Sequence, residues 1–170
     1  MKKFTNYLLI GLCIPLLASC LPSNNIDKHK NDIKSLLNVT INQGEELIYY
    51  NSHGGFHNDG TTCLGIKFKD DNVLNQIKDN KLWHLAPFPS FINNALYGTL
   101  KGETMIINPL ICKSNSQQPL LRIIKNGYYA FVDRYGNINL DKISGYSVYN
   151  FTIGLFDLDN NSFYFCEKDT

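Results

Sequence analysis

His53 and His57 stand four residues apart with Asp59 just beyond them, in the run Ser52-His53-Gly54-Gly55-Phe56-His57-Asn58-Asp59-Gly60. Two imidazoles and a carboxylate so close together have two chemical uses. Histidines four apart on one face of a helix are the zinc ligands of many metallohydrolases. Here Gly54 and Gly55 lie between them and oppose a helix. On an extended chain, at about 3.3 Å per residue, the rings would lie roughly 13 Å apart, too far to share an ion whose bonds are about 2.0 Å long. A zinc site therefore requires the loop to curl, which glycine permits, with Asp59 or His84 as third ligand. The second use needs no metal: His57, oriented by Asp59, acts as a general base on water. Together these define a small-hydrolase reading, with or without zinc, built on His53, His57 and Asp59.

The plainer expectation is a shaped connection in which the glycines turn the chain, Phe56 packs inward, and the histidines and Asp59 bond to loop backbone. As a binding surface, the stretch would offer His53, Phe56, His57 and Asp59, together with Trp83. Cys63 lies six residues beyond His57 and is a nucleophile only if a base sits beside it. A bridged or buried cysteine in a strand is the simpler reading. The sequence demands neither a cofactor nor a metal.

The elements that must position this stretch read as an α+β fold. Glu46-Leu47-Ile48-Tyr49-Tyr50 is a β-type run, and Leu64, Ile66 and Phe68 alternate with Cys63, Gly65 and Lys67, so a hairpin-like pair is expected around residues 52–60. Val73, Leu74 and Ile77 predict a short helix over residues 71–80, capped by Asp70 or Asp71. Residues 83–89 carry two prolines and cannot be regular. Ser90 caps a helix over residues 91–97 that Gly98 closes. Beyond it, strands are expected at residues 105–107, 120–124, 128–133, 149–156 and 162–167. The acidic run Asp157-Leu158-Asp159-Asn160-Asn161 reads as a hairpin loop, since a calcium loop needs its glycine and a distal glutamate in register. Strands without long alternating helices argue for a mainly antiparallel sheet with two or three short helices in a single domain. The late aromatic residues serve its core, with an outer tyrosine face as the alternative.

The first residues speak of compartment. Met1-Lys2-Lys3 is followed by an apolar run and then by small residues, the pattern of a secretory signal and too short for a comfortable membrane span. Leu17-Ala18-Ser19-Cys20 resembles the bacterial lipobox. That resemblance implies cleavage before Cys20, diacylation of its thiol and acylation, by palmitate or a similar chain, of the new amino group. Two or more chains anchor a protein stably to a membrane surface. Leu21 stands where aspartate would signal inner-membrane retention, so an outer membrane is favoured in a two-membrane cell. The expected division is a signal over residues 1–19, a lipidated tether with a short helix over 20–43, and a globular domain over 44–170.

Loss of 19 residues from 170 leaves 151, enough for one ordinary core. Lys+Arg number 16 and Asp+Glu 15, and the basic residues are scattered, so no stripe for nucleic acid is present. Cys63, Cys112 and Cys166 would lie in a compartment that permits disulfides; one bridge and one buried free thiol are expected, with all three pairings open.

The stretch His53-Gly54-Gly55-Phe56-His57-Asn58-Asp59-Gly60, with residues 83–89, Tyr149-Asn150-Phe151-Thr152 and Phe163-Tyr164-Phe165, resembles a group of small bacterial proteins, several secreted or lipid-anchored, with glycine at the place of Asn58. The resemblance covers most of residues 48–170 and implies no activity or cofactor. The functional expectation is a non-enzymatic envelope lipoprotein that binds a protein partner, in one concrete form an immunity protein against a toxin.

Overall fold

Every residue of the strands Gly60–Lys67 and Phe151–Asp157 is buried except Lys67. A strand buried on both faces needs covering layers on both, and the rest of the chain supplies them. The structure is a computed structural model that describes residues 25–54, 59–102, 104–109, 111–112, 118–136 and 150–170. In chain order it contains α1 (Asn25–Leu37), β1 (Glu45–Asn51), β2 (Gly60–Lys67), α2 (Asn72–Lys78), β3 (His84–Leu85), α3 (Ser90–Tyr97), β4 (Thr99–Lys101), β5 (Thr104–Ile107), β6 (Gly127–Asp133), β7 (Phe151–Asp157) and β8 (Ser162–Asp169). Six strands form one sheet in the order β1-β2-β8-β7-β6-β3, and β4 with β5 forms a small second one. All neighbours in the large sheet are antiparallel. The chain is an α+β single domain.

Alternation along the strands builds two cores. Leu64, Ile66, Phe163, Phe165 and Phe156 project to the face covered by α1 and α2, where they meet Ile33, Leu37, Val73 and Ile77. Cys63, Cys166, Ile153, Leu155 and Tyr164 project to the other face, against Ile92, Ala95 and Leu96 of α3. Gly154 lets the first core close: a Cβ there would lie 2.6 Å from the Trp83 ring and 2.7 Å from Leu37. Trp83 fills that space and donates its Nε1–H to the carbonyl of Leu37, which ends α1, at 3.0 Å.

Several expectations meet a different outcome. The helix expected within residues 20–43 begins at Asn25, and Ile26, Ile33 and Leu37 sit in the first core, so the globular body takes in chain that the sequence placed ahead of it. Residues 120–124 are not a strand. Leu121 and Ile124 enter the second core while Arg122 and Ile123 face solvent, a period of three in place of two. The backbone is instead held by Tyr97, whose hydroxyl accepts the Ile124 N–H at 3.1 Å and donates to the Arg122 carbonyl at 3.3 Å. Within the irregular 83–89 segment, His84 and Leu85 pair with Tyr129 and Tyr128 as a short edge strand. Ser90 opens α3 as its first residue, with Pro89 at the cap position, and Gly98 closes it at φ 71°. The loop 157–161 is, as expected, the hairpin turn between β7 and β8: Asp157 accepts the Asp159 N–H at 3.0 Å and the Asn160 amide at 2.9 Å.

Candidate functional site

The β1–β2 hairpin continues past Asn51, and this places His53. Ser52 N–H donates to the Thr61 carbonyl at 3.0 Å, and Thr61 N–H donates to the Ser52 hydroxyl at 2.9 Å. Gly60 is needed here for close approach, because a Cβ would come within 2.6 Å of the His53 backbone. The imidazole folds back over the sheet on the α1 side, where Asn51, Thr62, Glu167 and Thr152 form one cross-strand row.

Both ring nitrogens of His53 are occupied. Nε2 lies 2.7 Å from Asp169 Oδ2, and Nδ1 lies 3.0 Å from Asn51 Oδ1 and 3.2 Å from Thr62 Oγ1. In the neutral ring, Nε2–H donates to the carboxylate and the Thr62 hydroxyl donates to Nδ1. In the cation, Nδ1–H donates to the Asn51 amide oxygen.

Asp169 is held on its other side. Its Oδ1 accepts from Arg134 Nη2, which also donates to the Lys168 carbonyl at 2.6 Å, and Arg134 Nη1 lies 3.8 Å from Glu167 Oε1. Thr152 Oγ1 donates to the same Glu167 oxygen at 3.4 Å. Burial pushes the Glu167 carboxyl above its usual range, Arg134 opposes the shift, and Asp169 and Asp32 add to it. The chain of polar contacts also runs back to α1: Asn51 donates to the Tyr49 hydroxyl at 3.3 Å, and that hydroxyl lies 3.5 Å from His29 Nε2. His29 is buried between Tyr49 and Phe165. Burial holds it below its ordinary value, aided by Lys28 and opposed by Asp32.

Of the residues singled out from sequence, His53 is in this network. Asp59 is exposed, and the carboxylate on His53 is Asp169. Phe56, His57 and Cys20 lie outside the described residues. Trp83 is a core side chain on the α1 face. His84 lies on β3, at the far edge of the sheet from β1 and three strand steps from β8, or roughly 14 Å at about 4.8 Å per step. That separation removes it as a third ligand beside His53. Cys63 is not a free nucleophile: it is bonded to Cys166, its cross-strand partner, and Cys112 is the free, half-buried thiol. Among the described residues no three His, Cys, Asp or Glu side chains converge as a metal site. An open cleft of about 590 Å³, lined by residues 43–45 and 67–70, lies at the opposite end of the β1–β2 pair. Its charged residues are all exposed.

Sequence reasoning missed Asn51, Thr62, Arg134, Glu167 and Asp169. One signal was available: Glu167 and Asp169 share the parity of Phe163 and Phe165, so they fall on the same face of β8. Pairing across 116 residues, from His53 to Asp169, had no local trace. Comparison of the chain with protein-family models, with curated protein sequences and with solved structures found no match.

Proposed function

We propose that the chain is an envelope lipoprotein, anchored through Cys20, whose α+β domain is a non-enzymatic binding module for a protein partner. The anchor rests on residues 1–20 and their resemblance to lipobox signals. The binding reading rests on one observation: both ring nitrogens of His53 are taken up by neighbouring side chains. A general base needs a ring nitrogen facing substrate, whereas both nitrogens of His53 face Asn51, Thr62 and Asp169. An immunity protein against a toxin entering the same compartment is the concrete form of this proposal. Co-purification from membranes should recover a protein partner with the wild type and lose it with Cys20→Ala. A toxin gene beside this one is expected as well. Absence of both removes the support.

The order Thr62, His53, Asp169 favours a second reading, a small hydrolase, because hydroxyl, imidazole and carboxylate follow one another as in a nucleophilic triad. Thr62 is only 3% exposed, so its hydroxyl has no approach for substrate. The zinc version on His53, His57 and Asp59 predicts stoichiometric metal by elemental analysis and an activity abolished by His57→Ala. Metal-free protein, inert on a broad substrate panel, sinks it.

A further inference from the structure

Cys20 and Asn25 are five residues apart, and a chain spans at most about 3.6 Å per residue, so a lipid-bearing Cys20 lies no more than about 18 Å from the first residue of α1. The helix does not lengthen this leash cheaply. Ile26, in its first turn, is 3% exposed and belongs to the first core. Asn25 donates to Glu46 Oε1 at 3.4 Å, so the leash enters beside β1, the edge strand of the large sheet. The opposite edge, β3, is five strand steps away, about 24 Å. A domain of about 150 residues has a radius of gyration near 15 Å and is therefore roughly 38 Å across.

We infer, building on lipidation of Cys20, that the β1 edge lies against the phospholipid headgroups and that the β3 edge, with Leu85, faces the compartment. The leash is shorter than the diameter of a domain, so no second domain fits between the β1 edge and the bilayer. A protein partner reaches the surfaces away from it. Charges beside β1 are of both signs, Glu45 and Glu46 with Lys28 and Lys67, so the contact is imposed by the leash and not by attraction to anionic lipid.

The test uses the mature, acylated protein in vesicles of phosphatidylethanolamine and phosphatidylglycerol with a headgroup-attached quencher. Fluorophores are placed at Leu47→Cys on β1 or Leu85→Cys on β3, in a Cys112→Ser background. Both positions are exposed, at 44% and 58%. The Leu47→Cys probe should be quenched several-fold more than the Leu85→Cys probe, with little change on adding salt. Inserting about 20 Gly/Ser residues after Pro22 should equalise the two, because a flexible linker of that length releases the domain. The mass of the N-terminal peptide separates the two ways of failing. Acylated protein with equally quenched probes overturns the orientation alone, and protein without acyl groups on Cys20 overturns the anchor and the orientation together.

Discussion

Between Cys63 and Cys166, strands β2 and β8 are bridged covalently and bury their side chains on both faces, whereas one residue pair further along the same two strands carry Thr62 and Glu167, and beyond them Asp169. The middle of the sheet is apolar and closed by packing. Its end is polar and closed by ion pairs and hydrogen bonds, from His29 through Tyr49, Asn51, His53 and Asp169 to Arg134 and Glu167. A concentration of titratable groups is therefore not in itself a catalytic site. What separates the two cases is whether a group keeps a free direction, and the ring of His53 keeps none.

The contrast breaks most visibly at the bridge. Replacing Cys63 and Cys166 together with alanine should cost about 4 kcal/mol, because the crosslink spans 103 residues of sequence and constrains the unfolded chain. Denaturant unfolding with and without the bridge measures it. Next is packing against the sheet: Gly154→Ala sets a methyl group against Trp83 and Leu37 and should cost about 1–3 kcal/mol, with altered tryptophan fluorescence. At the polar end, Arg134→Met leaves Asp169 and Glu167 as neighbouring carboxylates without their cation. About 1–2 kcal/mol of lost stability is expected at neutral pH, and less in acid where the carboxylates protonate.

How far these two regions were legible differs for a physical reason. Alternation in residues 63–68 and the turn residues 157–161 gave β2 and the β7–β8 hairpin; in β2 the alternation sorts Leu64 and Ile66 to one face and Cys63 and Gly65 to the other, with both faces buried. The apolar, β-type composition of residues 120–124 misled, because Leu121 and Ile124 are placed by α3 and Tyr97 and not by a neighbouring strand. At the polar end only His53 was legible. Asp169 and Arg134 reach it through β8 and β6, and strand order is set by long-range pairing that local spacing does not record.

The smallest effect sharpens the comparison through pH. His29 is held below its ordinary value of 6.5 by burial, so the unfolded chain takes up the proton first. Its contribution is complete above pH 6.5 and is lost as pH falls below that value. Glu167 acts in the opposite sense: its raised value makes the folded state the better proton acceptor, so its burden grows as pH rises through the carboxylate range. His29→Leu should flatten the decline in melting temperature between neutral and mildly acidic pH, and Glu167→Gln should raise stability on the alkaline side of the carboxylate range relative to the acid side.

The claim that His53 belongs to a closed structural network is tested most directly by a double-mutant cycle on unfolding free energy with His53→Ala, Asp169→Ala and the pair. Direct contact at 2.7 Å predicts a coupling of about 1 kcal/mol or more between the two substitutions. Costs that simply add would show that the two side chains do not depend on each other, and would return His53 to the list of residues free to act on something else.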